Sequence, residues 1–235
     1  MIKPYGGITI NNLTVTKSNY LVDASYRLNV QAQKLVLACL GKVDSRGEIS
    51  KEMRLTAIEF EELMGVPNAR RDLYKAADAL FDAVITLKND TEEVKLRWIQ
   101  KSVKKLKGEG AVIITWSDEV LRYISQLQAR FTTYKLRNIA NLHSAHSIRL
   151  YELLMRFNST HHRVITLDDF RSTLGLGDKY QQFKTLNRDV IKPSVDELNQ
   201  RSDLVITYET IKKGRSVTAL AFTFKQNKQM KMDFS

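Results

Sequence analysis

Hydrophobic residues recur at intervals of three and four along several stretches of the chain, and this spacing predicts amphipathic helices. In 178–202 the buried stripe would consist of Phe183, Leu186, Val190, Val195 and Leu198. Similar patterns predict seven further helices: 18–26, 29–43, 56–65, 67–88, 117–128, 139–157 and 166–175. The stripe of the helix 67–88 would consist of Leu73, Ala76, Ala77, Leu80, Phe81 and Val84.

Runs rich in β-branched and aromatic residues predict strands between these helices. The predicted strands are 48–56, 94–103, 111–116, 204–211 and 217–224, and residues 1–16 are predicted to form a loose arm or an edge strand. Around 178–202 the order is helix, glycine-containing turn, helix, strand, basic turn and strand. This order is the outline of a winged helix-turn-helix, whose second helix enters the DNA major groove.

The same succession occurs twice, at a constant offset of 110 residues. The segment TAIEFEELMGV at 56–66 matches TLDDFRSTLGL at 166–176 in its capping threonine, the acid before its phenylalanine, the phenylalanine, the glycine and the last aliphatic residue. A longer helix and a hairpin with a basic tip follow each copy, as expected for two copies of one unit. We predict an α+β protein with two tandem winged-helix domains related by internal duplication: 1–128 as the first, 129–225 as the second, and 226–235 as a flexible tail.

The net charge of +11 favours a polyanionic partner, and it is unevenly distributed. Residues 1–128 contain 19 Lys and Arg against 16 Asp and Glu, whereas residues 129–225 contain 16 against 9. The second unit is therefore predicted to be the main DNA-binding domain.

In the second unit, Lys184, Arg188 and Lys192 follow one another at steps of four and would share a helix face. The candidates for base reading lie in the N-terminal half of that helix: Tyr180, Gln181, Lys184, Thr185, Asn187 and Arg188. The remaining DNA-binding candidates are cations on the same helix and on the flanking elements: Lys179, Lys192, Arg171, Lys212, Lys213 and Arg215. Pro193 is predicted to break or bend the helix. A winged helix that contacts only protein is the alternative.

The matching helix of the first unit carries Arg70, Arg71 and Lys75. Its preceding helix carries Glu59, Glu61 and Glu62, which would repel phosphate if they faced DNA. Two hypotheses remain open for this unit: weaker contacts with the DNA backbone, or an assembly surface.

Enzymatic and cofactor chemistry finds no support in the motifs. The single cysteine, Cys39, excludes an intramolecular disulfide and indicates a reducing, cytoplasmic compartment. No apolar run is long enough for a membrane span, and the N-terminus lacks the apolar core of a signal peptide. No phosphate-loop or hydrolase motif occurs in the sequence. His143 and His146 have ligand-like spacing without further ligands, so we predict no metal. The pair His161–His162, which precedes Arg163, is expected in a loop.

The tail contains a glutamine-aliphatic-x-aliphatic-x-aromatic pattern through Gln229, Met232 and Phe234. This pattern resembles the short peptide by which bacterial replication proteins dock onto the sliding clamp. The alternative is a disordered terminus.

Residues 131–153, FTTYKLRNIANLHSAHSIRLYEL, resemble the signature of plasmid replication initiator (Rep) proteins with two winged helices. The matching positions are Phe131, Tyr134, Leu136, Ile139, Leu142, Ser147, Arg149, Leu150, Tyr151 and Glu152. The later segments LDDFRSTLGL and YQQFKTLNRDVIKPSVDELN and the strand ending AFTFK extend the resemblance, as does LVDASYRLNVQAQKLVLACL near the N-terminus.

The resemblance implies binding of double-stranded origin repeats (iterons) as a monomer, and repression of the protein's own promoter as a dimer. It also implies origin opening and recruitment of host helicase, primase and polymerase, without nuclease or ATPase activity. The second winged helix would read one end of the iteron through 180–192, and the first would contact the other end and carry the dimer interface. A winged-helix transcription repressor without a replication role is the alternative.

Overall fold

A computed structural model of the chain describes residues 10–88 and 91–227. Its first part consists of a 3-10 turn (Ile10–Asn12), β1 (Thr14–Ser18), α1 (Asn19–Asp23), β2 (Ser25–Tyr26), α2 (Val30–Gly41), β3 (Glu52–Thr56), α3 (Ala57–Met64), α4 (Ala69–Asp82), β4 (Val84–Lys88), β5 (Glu93–Arg97), β6 (Ile99–Lys105), β7 (Ala111–Trp116) and α5 (Asp118–Ile124). The second part consists of β8 (Phe131–Lys135), α6 (Arg137–Ala140), α7 (Ala145–Met155), β9 (His162–Thr166), α8 (Leu167–Thr173), α9 (Phe183–Leu186), a π-helical turn (Asn187–Ile191), α10 (Lys192–Arg201), β10 (Leu204–Lys213) and β11 (Ser216–Gln226).

Equivalent helices of the two parts begin and end in the same way. Thr56 accepts a hydrogen bond from the Glu59 amide, and Thr166 accepts one from the Asp169 amide, each at 3.1 Å. At the other end, Gly65 and Gly175 adopt left-handed conformations with φ of 59° and 61°. A side-chain cap satisfies an amide that lacks a helical partner, and glycine tolerates a left-handed φ without steric cost. These local signals explain why the repeat is visible in the sequence.

The two sheets that follow share one topology. In the first, the strand order is β3-β7-β6, and in the second it is β9-β11-β10, with all neighbours antiparallel. The strand before each helix-turn-helix therefore pairs with the last strand of its hairpin. The prediction of two tandem winged helices is confirmed.

Several predicted elements of the first unit had wrong boundaries. Helix α4 ends at Asp82, and residues 84–88 form β4, so Val84 does not belong to the helix. Phe81 and Val84 are both exposed and do not belong to the buried stripe. The predicted strand 94–103 is two strands in different sheets, because β5 pairs with β4 whereas β6 pairs with β7. Trp98 lies between them with no exposed surface and anchors the change of direction.

Further boundaries differ around the second unit. The predicted helix 139–157 is interrupted before Ser144, which caps α7 by accepting from the His146 and Ser147 amides. Helix α5 stops at Ile124, before the predicted 128. Strands β8 and β9 were not predicted, and His162 belongs to β9, not to a loop.

Strand pairing and a buried charge network join residues 14–26 to residues 131–152. Strand β1 pairs with β8, from Thr14 opposite Lys135 to Ser18 opposite Phe131. Behind this ladder the Glu152 carboxylate accepts from Lys17 Nζ at 2.6 Å and from Arg149 Nη1 at 2.9 Å. These contacts cross the proposed division after residue 128, which stays a proposal.

Gly175 makes a tight contact with the backbone of the first unit, whereas its counterpart Gly65 makes no tight contact with the described residues. A Cβ at Gly175 would lie 2.5 Å from the Tyr26 carbonyl oxygen, and a Cβ at Gly65 would lie 3.8 Å from Asn141 Oδ1. We expect Gly65→Ala to lower the free energy of unfolding by about 1–2 kcal/mol through left-handed strain. Gly175→Ala should cost about 1–3 kcal/mol more, because a backbone contact must open. Urea unfolding measures both, and equal losses would contradict the tight contact.

Candidate nucleic-acid interface

The helix-turn-helix of the second unit consists of α8, the turn 174–182 and the helix that begins with α9. Tyr180 and Gln181 were predicted inside the helix, and the structure places them in the turn, because α9 begins at Phe183 after the Gln182 cap position. Gly175, Gly177 and Tyr180 all have positive φ, which reverses the chain before the helix starts. Tyr180 and Gln181 therefore lie at the helix N-terminus, where side chains approach base edges and phosphates in helix-turn-helix proteins.

Arg171 stabilises this turn. Its guanidinium donates to the Tyr180 carbonyl at 3.2 Å and to the Gln181 carbonyl at 2.6 Å. The side chain is largely buried, and these bonds hold Tyr180 in a backbone conformation that non-glycine residues rarely adopt. A direct DNA contact by Arg171 stays a prediction, whereas its contacts with the turn are part of the fold.

Lys184, Arg188 and Lys192 are exposed, and Leu186, Val190 and Ile191 of the same segment are buried. Arg188 forms two hydrogen bonds with its neighbour Asp189, at 2.6 and 2.8 Å. This pairing lowers the pKa of Asp189 and raises the pKa of Arg188. Because both side chains face solvent, a DNA phosphate or base would compete with Asp189 for the guanidinium.

Pro193 was predicted to break or bend the helix, and the structure shows no break there but an irregular turn directly before the proline. A π-helical turn covers Asn187–Ile191, in which the Lys192 amide donates to the Asn187 carbonyl, and α10 then continues to Arg201. Proline cannot donate a backbone hydrogen bond, and its ring would clash with the carbonyl four residues earlier in a regular α-helix. The wider π-helical turn accommodates the missing donor and the ring. The extra residue also rotates Lys192 relative to Arg188, so the three cations do not form the straight stripe of an uninterrupted α-helix.

Asn187 connects this turn to the wing. Its Oδ1 atom accepts a hydrogen bond from the Tyr208 hydroxyl of β10 at 2.7 Å, and both residues are half-buried. Thr185 is half-buried as well, while Lys179 and Gln181 are exposed. The bond fixes the angle between the helix and the wing strand.

The tip of the wing is a tight turn between Lys213 and Ser216, with Gly214 at φ 62°. Lys212, Lys213 and Arg215 are exposed, and none of them forms an ion pair with a residue that the structure describes. Unpaired cations on a hairpin next to the recognition helix are available for phosphate.

The corresponding cations of the first unit are partly engaged. Arg70 donates to the Leu106 carbonyl of its own wing and to the Tyr74 hydroxyl, and Arg71 contacts Asp72 at 3.1 Å. Lys75 is exposed. Of the acids on α3, Glu59 closes the capping box and pairs with Lys42, whereas Glu61 and Glu62 are exposed. The second unit thus presents more free positive charge.

Sequence reasoning missed the roles of Lys17 and Tyr26. Both join the network around Glu152, which also includes Tyr134 and Arg149. Arg149 and Glu152 are opposite charges three residues apart in an apolar helix, and this spacing is a local signal of an ion pair. Lys17 carries no such signal, because its partner is 135 residues away.

Three further predictions concern chemistry outside the winged helices. Gln229, Met232 and Phe234 lie outside the described residues. Within the described ranges, no three or more His, Cys, Asp or Glu side chains are placed to hold a metal ion. In the same ranges no helix combines the length and apolar character needed to cross a bilayer.

Known proteins share this architecture. The family model described as "Initiator Replication protein, WH1" matches residues 14–155, and "Initiator Rep protein, WH2" matches residues 166–224. A replication initiation protein of Escherichia coli is 27% identical over 232 residues, covering 94% of this chain and 72% of the relative. An uncharacterized 27.6 kDa protein of Escherichia coli is 23% identical over 220 residues, covering 86% and 92%.

Among solved structures, the Pi initiator protein in complex with iteron DNA superposes with a TM-score of 0.78 at 20% identity. The match covers 93% of this chain and 99% of that chain, so the two proteins share the fold across both units. The resemblance drawn from residues 131–153 is confirmed by the two family models. The chain belongs to the family of replication initiator proteins built from two winged helices.

Proposed function

We propose that this chain initiates plasmid replication by binding repeated double-stranded sequences, the iterons, at the origin. Family membership supports this function, as does the structural likeness to an initiator solved with iteron DNA. The observation that carries it is the exposed positive charge on two adjacent elements of the second unit: Lys184, Arg188, Lys192, Lys212, Lys213 and Arg215. Such groups neutralise phosphates and release counterions, which supplies most of the affinity.

In this proposal the recognition helix enters the major groove from its N-terminal end, and the wing contacts the neighbouring backbone. Tyr180 and Gln181 at the turn, together with Lys184, Thr185, Asn187 and Arg188 on the helix, are the base-reading residues. Arg171 and Lys179 act at the turn, and Lys192 acts on the backbone. The hydrogen bond from Tyr208 holds Asn187 in place.

We assign auxiliary DNA contact through Arg70, Arg71 and Lys75, and the dimer interface, to the first unit. Strand β5 supports this assignment, since it lies at the edge of the sheet β2-β4-β5 and most of its side chains are exposed. An edge strand offers unpaired backbone groups to a second copy. As a dimer the protein would repress its own promoter, and as a monomer it would open the origin and recruit host proteins such as the helicase. The tail would contact the sliding clamp.

Footprinting on the DNA that flanks the protein's own gene tests the proposal. We expect protection of an array of direct repeats. Protection of a single inverted repeat upstream of the gene would contradict it and would favour a repressor without a replication role.

Arg188→Ala should weaken binding to the protected sequence by about fivefold to 150-fold if the guanidinium pairs with a base. The loss should be smaller on sequences changed at the contacted base pair, and binding of a panel of single-base variants measures this. Equal weakening on all sequences would make Arg188 a phosphate contact.

For the unmodified protein, an affinity that hardly changes between about 50 and 200 mM salt would contradict extensive phosphate contact.

A further inference from the structure

A cavity of about 200 Å³ lies where the two units meet. We call it the junction cleft. The first unit contributes Arg27, Asn29 and Gln33, and the second contributes His146 from α7 and Lys179 and Tyr180 from the turn of its helix-turn-helix. Its volume is several times the ~30 Å³ that a water molecule occupies in the liquid, so the cleft can hold a small polar group.

The charge of the junction cleft is positive. Arg27 and Lys179 are exposed, and neither forms an ion pair with a residue in the described ranges. None of the described residues that line the cleft carries a carboxylate. Arg149 also lines it, and the Glu152 carboxylate that pairs with this guanidinium is shared with Lys17. Burial and the charge of Arg27 hold the pKa of His146 below its ordinary value, as expected for a site that lacks a counterion.

The walls of the cleft are held firmly by contacts between the units. Gln33 is 5% exposed, and its amide nitrogen donates to the Leu28 carbonyl at 3.1 Å and to the Ala145 carbonyl at 3.2 Å. Gly175 closes against the Tyr26 carbonyl on the same side. These contacts fix the backbone on both sides of the cleft, and a ligand would order only the exposed side chains of Arg27 and Lys179.

Local backbone geometry adds to the positive potential. The cleft is bordered by the first turns of α2 and α7, where residues Asn29, Ala145 and His146 lie. Helix N-termini carry a partial positive charge and favour anions. Tyr180, on the rim, has a φ of 57°, and strained backbone of this kind is concentrated at ligand sites.

We propose that the junction cleft binds a phosphate group between Arg27 of the first unit and Lys179 of the second. A phosphate held there bridges the two units and stabilises their relative orientation. The phosphate belongs either to the backbone of bound DNA or to a free anion such as inorganic phosphate. Only the first of these sources rests on the proposed function.

Histidine NMR on the full chain tests the proposal with two probes, inorganic phosphate and the footprinted DNA. His146 signals should shift saturably with phosphate in a non-phosphate buffer, and chloride at equal ionic strength should not reproduce the shift. Arg27→Gln and Lys179→Gln should each weaken that response at least about fivefold, corresponding to the loss of one charge-assisted contact. Arg122→Gln, an exposed cation on α5, is the matched control and should leave it unchanged.

The two probes separate the sources. A response to both, or to inorganic phosphate alone, supports a site for free phosphate. A response to DNA alone supports a backbone contact. The slope of log affinity for DNA against log salt should then fall by about one in Arg27→Gln, in Lys179→Gln and in the double variant alike, because the two cations share a single phosphate. No response to either probe overturns the proposal, even if the protein binds its repeats. Failure to bind the repeats would contradict the proposed function and leave the phosphate probe decisive.

Discussion

Replacing Glu152 with glutamine is expected to lower the free energy of unfolding by about 3–5 kcal/mol, the usual cost of leaving buried charges unpaired. The carboxylate is 1% exposed, and it accepts from Lys17, which is 4% exposed, and from Arg149, which is 2% exposed. Tyr26 and Tyr134 donate to the same carboxylate. Glutamine keeps the volume and removes the charge, so Arg149 would remain buried without its counterion. Burial already lowers the pKa of Lys17, and loss of the Glu152 charge would lower it further.

The pH dependence follows from the same network. The charges of Lys17 and Arg149 hold the pKa of Glu152 at about 2, below its ordinary value of 4.5, although burial alone would raise it. A depressed folded-state pKa contributes stability that is fully present above about pH 4.5 and is lost as the pH falls towards about 2. We expect the unmodified protein to lose stability across this window more steeply than the Glu152→Gln variant.

Urea unfolding at neutral and acidic pH measures both effects. Glu62→Gln, on the exposed face of α3, is the control and should change the free energy of unfolding by less than about 0.5 kcal/mol. A loss at Glu152 as small as that of the control would show that the network does not stabilise the junction between the units.

Neutralising the recognition helix by Lys184→Gln, Arg188→Gln and Lys192→Gln together should weaken binding to the protein's own repeats at least about a hundredfold. Each side chain is exposed, and a lost base contact typically costs about 1–3 kcal/mol, while each lost phosphate contact weakens binding to all sequences. The slope of log affinity against log salt should fall by up to about three, one for each phosphate contact removed. Titration of labelled DNA at several salt concentrations measures both quantities.

The first unit supplies a matched control for this experiment. Arg70→Gln, Arg71→Gln and Lys75→Gln remove the same number of charges from the equivalent helix, where Arg70 and Arg71 already have internal partners. We expect a loss of less than about tenfold. A loss equal to that of the second unit would contradict the assignment of the main DNA contact to residues 129–225.

The elements that the sequence predicted well are those with local signals. The repeat of threonine cap and left-handed glycine at an offset of 110 identified two units, because both signals act within one helical turn of the residues that carry them. The predictions for 67–88 and 94–103 had wrong boundaries, because sheet pairing and buried anchors such as Trp98 decided where each element stops. The prediction for 139–157 missed the cap at Ser144, where α7 begins.

Within the candidate site, the sequence identified cations by residue type and spacing, and the structure distinguished those that are free from those that are engaged. Arg188 faces Asp189, Arg171 holds the turn, and Lys212 and Lys213 remain unpaired among the described residues. The sequence did not predict the π-helical turn before Pro193, since proline disfavours a regular helix without specifying which irregularity replaces it.

The sequence by itself determined the duplication, the fold class and the charge difference between the units, because periodicity, caps and composition are properties of neighbouring residues. Only the tertiary structure decided which distant parts of the chain pack together. The pairing of β1 with β8, the ion pair between Lys17 and Glu152 and the junction cleft all bring together residues more than a hundred positions apart. Contacts over such separations depend on how the whole chain packs, and no local pattern records them.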